Sequence, residues 1–139
     1  MDLHTVTICK KDIETFLVEM NNILCSPNFD IDRDFMFTEI RAKDDLDDEF
    51  TNTNTMLELG FDRYDVVEHL KTLTIEEYTE SMLDTVSKDM SFFHVFGRKI
   101  QGRDVYIKVR IKLRKIGTKY VFCVSFHFAR HSITHFPHK

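Results

Sequence analysis

Between Val105 and Phe128 the chain alternates twice with a period of two. In VYIKVRIKLR, Val105, Ile107, Val109, Ile111 and Leu113 fall on one side, and Tyr106, Lys108, Arg110, Lys112 and Arg114 on the other. In YVFCVSFHF, Tyr120, Phe122, Val124, Phe126 and Phe128 are apolar or aromatic, with Val121, Cys123, Ser125 and His127 opposite. That period belongs to strands whose two faces meet different surroundings. Gly117 lies between the runs and supplies a turn residue. Two half-buried strands this close in sequence pair as an antiparallel hairpin, and the rest of the fold must be built around it.

The alternation also sets a register, because a slip of one residue would move every apolar side chain to the wrong face. A two-residue loop at Ile116-Gly117 places Val105 opposite Phe128, Ile107 opposite Phe126, Val109 opposite Val124, Ile111 opposite Phe122 and Leu113 opposite Tyr120. These are apolar and aromatic cross-strand pairs of the stabilising kind. The same register puts Tyr106 opposite His127 and Lys108 opposite Ser125 on the polar face.

Upstream the periodicity is helical. Ile13, Phe16, Leu17, Met20, Ile23 and Leu24 share one helix face, and Cys25-Ser26-Pro27-Asn28 ends it. Phe29, Ile31, Phe35, Phe37 and Ile40 suggest an extended segment. Residues 41–55 are polar, and their Asp44-Asp45…Asp47-Asp48-Glu49 run reads as solvated charge, with cation binding the sharper alternative. From Thr55 to Met82 short helices are expected: Gly60 stops the first, Asp62 caps the second, and Thr74 with Glu77 forms a capping box opening a third. Phe92–Phe96, running to Gly97, reads as a third strand. The expected fold is α+β, with N-terminal helices packed on a C-terminal antiparallel sheet, in a single domain spanning 1–139.

The net charge of −4 conceals a division. Residues 1–90 hold 8 basic and 22 acidic side chains, a balance of −14, while residues 91–139 hold 11 basic side chains and only Asp104, a balance of +10. Five of the seven His also follow residue 90. The asymmetry points to a polyanion or acidic partner for the basic part, or to two faces that pair with each other in the fold. Cys9, Cys25 and Cys123 form no CxxC pair, so neither a disulfide framework nor a four-Cys zinc site is expected. No run is apolar enough for a membrane span and the first residues lack a signal-peptide core, so no membrane association and a cytoplasmic location are expected.

The hairpin's polar face carries the chemistry. Cleavage of RNA requires a base for the 2′-hydroxyl, an acid for the leaving 5′-oxygen, and cations or donors for the phosphate. His127 titrates near neutrality and can act as base or acid. Tyr106 can position a proton or hold the phosphate, and Lys108 and Arg110 can neutralise charge beside Ser125. His94 either joins this cluster as a further phosphate-binding residue or packs as a core His. With Asp104 as the basic part's single carboxylate, a two-metal nuclease is not expected. His131 and His135 have an H-x3-H spacing, with His138 beyond, but no Cys or nearby carboxylate completes a zinc set, so no cofactor is expected.

The ordered series LELGFDRYDVVEHLKTLTIEEYTESM, FFHVFGRKIQGRDVYIKVRI and VFCVSFHFA resembles the MqsR-type mRNA interferases. The specific pieces are LELGFD followed by a short helix, the Gly-x-x-Val-Tyr-Ile-Lys strand and the final Val-Ser-Phe strand. The resemblance covers about 50–130 well, with 1–50 as an N-terminal extension and 131–139 as a tail. It implies a RelE-like sheet flanked by helices, cleavage of mRNA, and a cognate antitoxin protein as partner. Tyr106 matches the family's hairpin Tyr; the family's terminal Lys falls on His127, its Gln on or near His94, and its helix Lys on Glu80. The resulting expectation is a toxin that cuts mRNA without metal through His127 and Tyr106. The alternative is a non-catalytic domain binding RNA or an acidic protein through its basic sheet face.

Overall fold

The computed structural model describes residues 5–38, 47–86 and 91–139. Ile40, Asp44 and Asp45, and with them part of the expected extended segment and acidic run, lie outside the described residues. Among those described, the chain forms four α-helices and a six-stranded sheet: an α+β fold. The helices do not all precede the strands. Strand β1 (Thr5–Val6) comes before helix α1 (Lys10–Leu24), and α2 (Ile31–Asp34) leads directly into β2 (Phe35–Phe37). Helices α3 (Asn52–Leu59) and α4 (Arg63–Lys71) follow, then β3 (Tyr78–Leu83), β4 (Phe92–Ile100), β5 (Arg103–Leu113) and β6 (Lys119–Phe128). The spatial order is β1-β3-β4-β5-β6-β2, antiparallel throughout except for the parallel pairing of β2 with β6.

Local chemistry accounts for the helix ends. Ile13, Leu17, Met20 and Leu24 form the buried stripe of α1. The Thr51 hydroxyl caps α3 by accepting from the Asn54 amide. Gly60, at φ +73°, closes it: its amide donates to Leu57, and that of Phe61 to Met56, satisfying carbonyls the helix would leave open. Asp62 and Asp65 exchange amide-to-carboxylate bonds of 3.1 and 2.9 Å at the start of α4. The Thr74–Glu77 box also forms, yet it opens only a 3₁₀ turn, Ile75–Glu77, before the chain extends into β3. The expected third helix is therefore a strand. Tyr78 and Ser81 on β3 are wholly buried, and Tyr78 packs edge-on against Phe96 of β4.

The hairpin joins β5 to β6, and half of its expected register is right. Val105 pairs with Phe128, Tyr106 with His127, Ile107 with Phe126 and Lys108 with Ser125. A β-bulge then intervenes between Lys108 and Val109, with Val124 as the extra residue on β6, so Val109 pairs with Cys123, Ile111 with Val121 and Leu113 with Lys119. Past the bulge the faces of β6 exchange. Val121 and Cys123 enter the core, while Phe122 and Tyr120 turn to the polar face, where Lys112 and Arg114 lie over their rings. The turn is longer than two residues: Arg114 donates to the Thr118 carbonyl, and Gly117 takes φ +91°.

Beyond the three-residue contact with β2, the outer edge of β6 would leave amides unpaired in the interior. Two polar side chains of α3 satisfy them. Asn52, 2% exposed, accepts from the Phe126 amide and donates to the Val124 carbonyl, and Thr55 accepts from the Phe128 amide. The helices thus cover one face of the sheet, and the face carrying Tyr106 and His127 is the other.

Candidate RNA-binding and catalytic face

Cross-strand partners share a sheet face, so pairing assigns every candidate residue. Tyr106 and His127 are direct partners with rings stacked at 5.2 Å and 18°. The His127 Nδ1 lies 3.0 Å from the Phe128 carbonyl oxygen. A carbonyl only accepts, so Nδ1 carries the proton and the neutral ring keeps its lone pair at Nε2. Lys108 and Ser125 form the next pair on the same face, and the Lys108 ammonium stands 5.2 Å from the Phe93 ring.

Arg110 shares the face but not the same exposure. It is 3% exposed, and its Nη1 lies 2.7 Å from Oδ2 of Asp84, itself 8% exposed. Its charge is matched internally, so its part is to hold the end of β3 against β5 rather than to present an open guanidinium. His94 falls on the opposite, helix-covered face, since its partner is Val109 and not a polar-face residue. There it lies edge-on to Phe16 at 4.4 Å. The Ile8 amide donates to the Tyr78 hydroxyl, which lies 2.7 Å from Ser81 Oγ, and Ser81 lies 2.7 Å from His94 Nδ1. The Ser81 hydroxyl thus bridges the Tyr78 hydroxyl and His94 Nδ1 in a continuous hydrogen-bonded chain. Burial, reinforced by the Arg110 charge, pushes the His94 pKa down to about 4. The structure brings Tyr106, His127, Lys108 and Ser125 together and leaves His94 out.

Sequence reasoning missed several residues around this face. Asp48 ion-pairs with Arg130, just past the end of β6. Its carboxyl is held below the usual range chiefly by the Phe50 amide, with Arg130 and His127 adding to the effect. Asp84, Phe93, Phe122 and Tyr120 complete the surroundings of the cations. The aromatic character of Phe122 and Tyr120 was plain, but their face depends on the bulge, which the alternation does not encode.

The charge division is also largely absorbed within the fold. Arg98, Arg103, Arg110, Arg114, Lys119 and Arg130 pair with Glu77, Glu49, Asp84, Asp34, Glu19 and Asp48, each joining the basic part to the acidic part. Lys112 pairs with no carboxylate among the described residues and lies 5.4 Å from the Phe122 ring. The tail histidines diverge: His138 stacks on Tyr78 and donates to the Ile8 carbonyl. Among the described residues no group of three His, Cys, Asp or Glu side chains converges as a metal site would require, and no helix is long and apolar enough to cross a membrane.

Comparison with known proteins returns nothing: no family model matches this chain, nor does any curated protein or solved structure.

Proposed function

We propose that this chain is a metal-independent endoribonuclease that cuts mRNA, acting in the cytoplasm as a toxin of the MqsR kind and restrained by a partner antitoxin. In this reading the α+β architecture is RelE-like. The observation that carries the proposal is the Tyr106–His127 pair, with the His127 proton committed to the Phe128 carbonyl. The Nε2 lone pair can take the proton of a 2′-hydroxyl, whose oxygen then attacks phosphorus. The P–O5′ bond breaks, leaving a 2′,3′-cyclic phosphate and a 5′-hydroxyl whose proton Tyr106 can supply or relay. Lys108 lies two residues along the same face, about 7 Å away, where an ammonium offsets charge growing on the phosphate. No step in this scheme uses a metal.

The alternative, a non-catalytic domain binding RNA or an acidic protein, draws on the same basic face and differs in leaving the RNA intact. Purified protein incubated with RNA in excess EDTA separates the two. The proposal expects fragments ending in 2′,3′-cyclic phosphate and 5′-hydroxyl. Intact RNA, or cleavage that EDTA abolishes and Mg²⁺ restores, contradicts it.

A further inference from the structure

We infer that single-stranded RNA lies along β5 on a track of cations and aromatic rings that leaves the Tyr106–His127 pair in one direction only, toward the hairpin turn. The inference rests on the reading that this pair cuts RNA and adds to it the path of the substrate. After the bulge, β6 turns its aromatic residues onto the face that β5 fills with cations. Lys112 then stands 5.4 Å from the Phe122 ring, and Arg114, which also pairs with Asp34, stands 4.5 Å from the Tyr120 ring. Phe122 and Tyr120 are half-buried, with ring surface still open, whereas Phe93 is only 9% exposed and serves as floor. Alternating rings and cations are what a flexible polyanion of flat bases requires: bases stack on the rings, and phosphates meet the cations. From Tyr106 to Lys112 the strand rises about 20 Å, room for several nucleotides.

In the other direction the C-terminal tail crosses the face. Gly97 is the β4 partner of Tyr106, and Ile133 of the C-terminal tail sits on it so closely that a Cβ there would meet Ile133 at 2.8 Å. The Ile133 amide donates to an oxygen of Asp104 at 3.0 Å, and Lys99 pairs with that same carboxyl group. The Ile133 amide and Lys99 hold the Asp104 carboxyl below its usual range, so it remains an anion. An apolar strap offers a phosphate no donor beside Tyr106, and the carboxylate opposes it while engaging Lys99. The bulge and the tail together give the site a polarity: substrate contacts accumulate on one side of the scissile phosphate.

The test uses a fluorescein-labelled 12-nucleotide RNA with 2′-fluoro in place of every 2′-hydroxyl, which binds without being cut, read by anisotropy. Lys112→Glu and Tyr120→Ala should each weaken binding about five- to hundredfold, the range of a lost stacking or phosphate contact. Lys11→Glu, the same charge change on the helix layer, should not. Circular dichroism checks that each variant is folded. A second arm shortens a cleavable RNA from its 5′ or its 3′ side of the cut: one series should lose activity and the other should not. Wild-type affinity in folded Lys112→Glu and Tyr120→Ala, equal sensitivity to both flanks, or equal competition by polyglutamate would overturn the track. A wild type that binds the 2′-fluoro RNA through Lys112 and Tyr120 but cuts no RNA would sink the nuclease reading while leaving the track in place. No binding to the 2′-fluoro RNA overturns the track, whatever the cleavage result.

Discussion

Arg110→Ala distinguishes an open phosphate ligand from an internal brace. The guanidinium is 3% exposed and its Asp84 partner 8%, with 2.7 Å between Nη1 and Oδ2. Truncating Arg110 removes this guanidinium from a buried carboxylate, and breaking such a pair costs about 3–5 kcal/mol. The Asp84 Oδ1 also accepts the Val86 amide, which softens the loss, so the lower end, about 3 kcal/mol, is expected. At a slope of roughly 2 kcal/mol per molar urea, the unfolding midpoint should fall by about 1.5 M. Replacing both partners, as Arg110→Met with Asp84→Leu, removes the stranded charge and should recover to within about 1 kcal/mol of wild type. The reasoning is refuted if Arg110→Ala keeps the wild-type midpoint while RNA affinity drops, for the guanidinium would then be facing phosphate.

Three further outcomes follow from particular residues. The folded pKa of His94, about 4, lies below the 6.5 of an unperturbed His, so the unfolded chain takes up the proton first as pH falls. Its stabilisation is complete above about pH 6.5 and is lost toward pH 4, by about 3 kcal/mol at the limit; urea titrations should show that slope, and His94→Gln should abolish it. Phe126→Ala should cost roughly 3–5 kcal/mol, and Phe122→Ala less than half as much, since the bulge keeps Phe122 out of the core; equal losses in thermal or urea unfolding would place both in the core. Lys108→Ala should flatten the plot of log affinity for RNA against log salt by about 0.7, and an unchanged slope would move the phosphate contact off Lys108.

Much of this architecture was legible because it rests on local patterns. The α1 stripe, the Gly60 stop, the Asp62 cap and the first four hairpin pairs each follow from spacing and turn chemistry within a few residues. What escaped depends on partners far away in sequence. The edge strand β1 has two residues, too few for a period to register, and within the expected extended segment Phe35–Phe37 is strand while Ile31–Asp34 is helix. The Thr74–Glu77 box formed as expected, but a cap specifies where a helix can start and not how long tertiary packing lets it run; the buried contacts of Tyr78 and Ser81 drew the chain into β3. The bulge is invisible to alternation because both faces of β6 are apolar enough to be buried. The site was half legible for the same reason. Tyr106 opposite His127 is a consequence of register, whereas the pairing of Arg110 with Asp84 and the placement of His94 under α1 are consequences of the β3–β4–β5 packing.

Cleavage of RNA by folded His127→Ala, measured against wild type in EDTA, tests the account at its centre. The ring is only half-buried and stacks on Tyr106, so its removal should spare the fold. The account predicts that circular dichroism and the urea midpoint stay near wild type while the cleavage rate falls by about 10²–10⁴, the usual contribution of a positioned acid or base. A folded variant that cuts at the wild-type rate would contradict it and place the chemistry elsewhere on the chain.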